Sequence, residues 1–142
     1  MSANTTILAS AARTASSTQA LSADMTRIRS AALLLDVTVA ATAVDDTLDV
    51  YLQHSPDDGT TWDDFVHFTQ VLGNGGAKQY IAEWSGFVSP ESEMHALQDA
   101  AMGAGVLQGP KSGKWRLKWV IVDAGADNAS FTFSVDLFAA KV

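Results

Sequence analysis

The chain has 142 residues, 47% of them hydrophobic and 18% charged, which suits one domain with a buried core and is too apolar for disorder. A formal charge of −7 sets its surface against phosphate and so argues against nucleic acid and anionic membranes as partners. There is no cysteine, which excludes disulfides, thiolate zinc sites and cysteine nucleophiles.

No run approaches the ~20 apolar residues that a membrane-spanning helix needs, and the start lacks the basic stretch and apolar run of a secretory signal. Residues 1–25 are rich in Ala, Ser and Thr. Ile7 and Leu8 are the one adjacent pair of large apolar residues there; they predict a short strand or anchor followed by a flexible link. Residues 1–25 are therefore expected to form an extended arm, with Ile7 and Leu8 as its contacts to a partner, and residues 26–142 the folded domain.

Further along, Leu33, Leu35, Val37 and Val39 alternate with Leu34, Asp36 and Thr38, the period of a strand with one buried face. Leu48, Val50 and Leu52 alternate in the same way with Asp49, Tyr51 and Gln53. The turn-forming cluster Ser55-Pro56-Asp57-Asp58-Gly59 then separates this run from a second β-type run, which predicts a β-hairpin. In the second run Val66, Phe68 and Leu72 share one parity, while Phe65 and Val71 fall on the other. Either both faces of that strand are covered or a bulge shifts its register. Tyr80, Ala82 and Trp84 predict another strand. Next, Ser89 can cap a helix, Pro90 suits its first position, and Glu91 and Glu93 suit its N-terminal end. Met94, Leu97 and Ala101 recur at helical spacing and Gly103 can stop it, so a short helix is expected here. Two strands close the chain, one burying Trp115, Leu117, Trp119 and Ile121, the other Phe131, Phe133, Val135 and Leu137. Many strands, regular turns and a single helix imply an all-β fold of two packed antiparallel sheets, a β-sandwich.

Motifs of chemistry fail on inspection. The run from Gly109 to Trp115 lacks a phosphate loop's first glycine, with Gln108 in its place, and has Trp115 where a magnesium-holding Ser or Thr belongs. His54, His67 and His95 follow no metal-ligand spacing; His54 and His67 are expected to be polar neighbours across the hairpin. No nucleophile elbow is present. Asp57, Asp58, Asp63 and Asp64 suggest calcium but lack the EF-hand order, and turn aspartates commonly bond nearby amides. Trp115 and Trp119 share a parity with core residues, which leaves Trp62, beside the turn, or Trp84 as the candidate for stacking on a sugar ring. No catalytic residue, cofactor or metal is predicted.

Two resemblances add to this reading. Ser55-Pro56-Asp57-Asp58-Gly59-Thr60-Thr61-Trp62 resembles the Asp-box of sialidases and other β-propellers. That likeness implies that Asp57 bonds turn amides, Gly59 takes a left-handed conformation and Trp62 packs over the turn. Sialidase activity is not implied, since one copy occurs in a chain too short for a six-bladed propeller. More broadly, LDVYLQHSPDDGTTWDDFVHFTQVLG, KWRLKWVIV and SFTFSVDLFAAK resemble small virion structural proteins of tailed bacteriophages. The likeness runs from about residue 33 to the end, with residues 89–109 reading as an insertion. It implies a jelly-roll-like sandwich that acts as a head decoration or cement protein, or as a neck or tail component. The expected partners are then the major capsid protein or other virion proteins, together with further copies of the chain, in a virion. The expected recognition elements are Ile7 and Leu8 on the arm and Asp57, Gly59 and Trp62 at the hairpin tip. A carbohydrate-binding or host-recognition module is the alternative.

Overall fold

Period-two alternation becomes pleated strand throughout the computed structural model, which describes residues 2–21, 28–85, 95–107, 113–125 and 128–141. Ten strands follow in order: β1 (Ser2–Arg13), β2 (Ser17–Leu21), β3 (Ile28–Val39), β4 (Thr47–Ser55), β5 (Asp63–His67), β6 (Val71–Leu72), β7 (Lys78–Ser85), β8 (Gly105–Val106), β9 (Lys114–Val122) and β10 (Phe131–Lys141). They form two antiparallel sheets. One has the order β1-β10-β3-β7; the other has the order β2-β9-β4-β5-β8, with β6 also paired to β4. Setting aside the two-residue strands β6 and β8, the first strand pairs with the last, the second with the next to last, and so on inward to the β4–β5 hairpin. That nesting is a jelly roll, and the expected two-sheet sandwich is what the chain forms.

The core lies between the sheets. β3 and β10 supply Leu33, Leu35, Val37, Phe131, Phe133, Val135 and Leu137; β4, β5 and β9 supply Leu48, Val50, Leu52, Phe65, Val66, Trp115, Leu117 and Trp119. Each large side chain so buried contributes about 1.5–3 kcal/mol. Phe65 meets both Trp84 and Trp115 edge to face, at ring centroid distances of 5.2 and 5.5 Å, the favoured geometry for aromatic quadrupoles.

Register shifts decide which residues reach that core. Between Thr6 and Leu8 the pairing of β1 with β10 slips by one residue, so the adjacent Ile7 and Leu8 both join the core, which a regular strand with one covered face does not allow. On β5, Leu52 pairs with Val66 and Gln53 with Asp64; Phe65 is the extra residue, and it enters the core beside Val66. Both readings offered by the sequence for this strand therefore apply. On β3, Val37 pairs with Phe133 but Val39 with Thr132. The slip carries Val39 off the inner face and leaves it 57% exposed, contrary to its parity.

The N-terminal segment differs from the expected arm. β1 is an outer strand of one sheet and β2 an outer strand of the other, and side chains sew the gap between them. Gln19 donates to the Ile7 carbonyl at 2.7 Å. Arg13 donates to the carbonyls of Ala9, Ala11 and Phe133 at 2.8, 3.1 and 2.7 Å, while its guanidinium lies over the Phe133 and Trp119 rings. Burial there lowers its pKa. Trp119 Nε1 donates to the Ala15 carbonyl, and Ser16 Oγ accepts from the Ile121 amide. Ile7 and Leu8 are thus spent on the chain's own core.

The expected helix is also corrected. Residues 89–94 lie outside the described residues, and 95–103 are irregular. Their backbone amides are drawn to carboxylates on β5 instead of to one another, as set out below.

Candidate functional site

The hairpin tip folds around one carboxylate. The backbone turns left-handed at Asp58 (φ 62°) and Gly59 (φ 98°), conformations that Asp tolerates and glycine adopts freely. Asp57 accepts from the Thr61 amide at 2.7 Å and the Thr61 hydroxyl at 2.8 Å. Those two donors, with Ser55, hold its carboxyl below the ordinary value. Ser55 Oγ accepts from the Gly59 amide at 2.7 Å and donates to Asp57 at 3.0 Å. The Trp62 ring lies against Gly59, and the Arg116 guanidinium sits 4.2 Å from its centroid, a cation–π contact. Asp57, Gly59 and Trp62 therefore come together at one tip. A sugar stacking on Trp62 would compete with Arg116 for that ring face, while Trp84, Trp115 and Trp119 are buried. Asp58 pairs with Lys114 at 3.4 Å, both well exposed, a contact of little energetic weight.

A second polar cluster sits on the outer face of the β2-containing sheet. Here residues 95–104 cross β4 and β5 as a strap, fastened mainly by Asp63 and Asp64. Asp64 is fully buried. Its Oδ1 accepts from the Ala100 amide at 2.9 Å and from Gln53 Nε2 at 2.7 Å; its Oδ2 accepts from the Ala101 and Met102 amides, both at 2.9 Å. Three successive amides around one anion form a backbone nest. Ala100 is left-handed (φ 56°), a strain that persists where the surroundings over-determine the backbone. Asp63 accepts from the Gln98 amide at 3.0 Å and from His95 Nε2 at 2.8 Å, with His54 Nε2 at 3.5 Å. The Asp64 amide donates to the Gln98 carbonyl at 2.7 Å. These bonds hold the amides of 98 and 100–102 in non-helical directions, which is why local helix signals lose here.

Side chains on the same face complete the fastening. Gln53 Nε2 also donates to Asp99 at 2.8 Å, and its Oε1 accepts from Arg116 Nε at 2.7 Å. Lys118 reaches Asp99 at 2.8 Å. Desolvation opposes ionisation of Asp99, but Lys118, Gln53 and Arg116 outweigh it and lower the pKa. Tyr51 donates to the Ala100 carbonyl at 3.3 Å and stacks on His67, with centroids 4.1 Å apart. Burial first, then the charges of Asp49 and Asp64, push the phenol up to about 12. The His67 ring nitrogens face the Met102 carbonyl at 2.7 Å and Asp49 at 2.8 Å.

His54 and His67, expected as neighbours, part company. His67 lies opposite Tyr51, whereas His54 lies opposite Asp63 and packs by Trp115. The four clustered aspartates likewise divide, Asp57 holding the turn, Asp58 pairing with Lys114 and Asp63 and Asp64 fastening the strap, and among the described residues no group of three or more His, Asp or Glu side chains is arranged to hold a metal. Of the strap's anchors, Asp63 and Asp64 stood out in the sequence only as calcium candidates and Gln53 not at all, and their fastening role was missed. The available signal was Asp64 beside the core residue Phe65, but the three amides it binds lie over 30 residues away.

No family model matches the chain, and no curated protein matches it. Among solved structures, a chain from the cryo-EM atomic structure of broad bean stain virus aligns with 80% of this chain at 17% identity and a TM-score of 0.43. This chain spans 59% of that one's length.

Proposed function

We propose that the protein is a non-enzymatic structural component of a virus particle, a decoration or cement protein that binds the capsid shell of a tailed phage and stabilises its lattice. The observation that carries this reading is where the polar side chains go. Asp57, Asp63, Asp64, Gln53 and Asp99, the most concentrated polar chemistry in the described chain, are engaged in fastening a turn and a strap to the sandwich. Polar groups used in this way make a rigid block, and a rigid block attaches through its faces, edges and loops. The likeness of its hairpin and closing strands to phage virion proteins supports the same reading. The hairpin tip around Asp57, Gly59 and Trp62 is the proposed contact with the major capsid protein, and many weak contacts act together through multivalency.

The test is reconstitution. Shells assembled without this protein are mixed with it, and occupancy and thermal rupture are measured. The reading expects saturable binding, a raised rupture temperature and loss of both effects in a Trp62→Asp variant that keeps its fold. Absence of binding by the native protein overturns it. Sugar-dependent quenching of tryptophan fluorescence with no shell binding would favour a glycan-binding module instead.

A further inference from the structure

The outer strands of the two sheets are protected unequally. A free edge offers unpaired amides and carbonyls to any other strand, and proteins blunt such edges with bulges, charges, brevity or cover. β1 carries two register shifts, and Arg13 and Gln19 occupy its displaced carbonyls. β7 carries Lys78 and Glu83. β8 is two residues long. β2 has none of these devices. Ser17-Thr18-Gln19-Ala20-Leu21 pairs with β9 in unbroken register, contains no charge and no proline, and is exposed from Ser17 to Ala20. Among the described residues its other side pairs with no strand.

We infer that β2 is the docking site for a second copy of this chain. The two β2 strands pair antiparallel about a two-fold axis at Gln19, joining two six-stranded sheets into one. Self-pairing fits this strand because a two-fold axis demands a self-complementary edge. About Gln19, Thr18 faces Ala20 of the partner subunit and Ser17 faces Leu21 of the partner subunit, so no like charges meet. The cations of the neighbouring strand β9, Arg116 and Lys118, which lie opposite Ala20 and Thr18, are then separated from their equivalents by three strand spacings. That is about 14 Å, beyond a Debye length of about 8 Å at physiological ionic strength. A foreign strand would meet only the uncharged, exposed side chains from Ser17 to Ala20, whereas a second copy brings the matching edge. The inference deepens the structural-subunit reading, from which it takes only that the protein works in many copies.

Two variants and one titration test it. Sedimentation velocity of the native protein is measured from about 10 μM to about 1 mM, the range in which a short edge contact associates. A concentration-dependent dimer is expected, and a Thr18→Glu/Ala20→Glu variant, whose carboxylates face Lys118 and Arg116 within the chain but each other across the two-fold axis, should remain monomeric at every concentration with a melting temperature that is not lowered. Because the chain has no cysteine, a Thr18→Cys/Ala20→Cys variant should form a disulfide-linked dimer under mild oxidation, while Ile81→Cys, exposed on the other sheet, should not. A native protein that stays monomeric throughout overturns the inference, as does a dimer indifferent to the glutamates or equal cross-linking at residue 81. A β2 dimer that fails to bind shells retires the virion reading alone; shell binding by a protein that never pairs through β2 retires this one alone.

Discussion

Asp64 accepts four hydrogen bonds on two oxygens, three of them from consecutive amides, so its loss is felt well beyond one side chain. Replacing it with Ala leaves buried donors without partners, each costing about 1–3 kcal/mol. Asp64→Ala is expected to lower the unfolding free energy by about 3–5 kcal/mol, measured by urea denaturation, and Asp64→Asn by less. Ala100→Gly tests the strain at φ 56°. The left-handed penalty of about 1–2 kcal/mol is relieved, partly offset by the greater unfolded-state freedom of glycine, so a gain of up to about 1 kcal/mol is expected in the same assay. Two pH effects follow from opposite shifts. Asp57 is held below its ordinary value, so its stabilisation of the turn is complete above the ordinary carboxylate range and fades as pH falls through the lowered value. The Thr61 amide should then exchange faster with solvent. Tyr51 is raised from 10 to about 12. Its contribution is intact below pH 10 and declines as pH rises toward 12, and Tyr51→Phe should flatten that alkaline loss in thermal melts.

At the scale of elements, legibility depended on whether local pattern and tertiary pairing agreed. β3, β4, β9 and β10 alternate cleanly along most of their lengths, and each was recoverable from its own residues, from Leu33 through Leu137. What alternation cannot encode is a slipped register. Ile7 and Leu8 looked like an anchor for a partner because adjacent apolar residues point to opposite faces of a regular strand; the shift at Thr6/Leu8 turns both inward. The same limit misplaced Val39. The helix expected around Met94, Leu97 and Ala101 had good local signals. In the described part of that segment they are overruled by Asp63 and Asp64, whose hold on the strap no local window contains. The Asp-box turn was legible in full because Ser55, Asp57, Gly59 and Thr61 close their bonds within seven residues. If β1 is part of the sandwich, Leu8→Ala should cost about 2–5 kcal/mol, as a buried leucine does. A loose arm would lose nothing.

The whole molecule is a nest in which β1 pairs with β10 and β2 with β9, so the first and last strands close the fold together. Unfolding should therefore be one cooperative transition. Deleting residues 2–13 should abolish it and not merely trim a tail, with loss of near-ultraviolet circular dichroism as the readout. This bears on function, because an N-terminal segment built into both sheets is not free to act as an arm, and the proposed contacts with a neighbour are then the hairpin tip and the β2 edge. The most direct test of the proposed structural-subunit role is to look for the protein in purified phage particles, and to count and locate it there, by quantitative mass spectrometry with cryo-electron microscopy. The account predicts on the order of hundreds of copies per particle arrayed on the outer shell, as lattice binding through repeated weak contacts requires. A dozen or fewer copies confined to the neck or tail, or none at all, would contradict it.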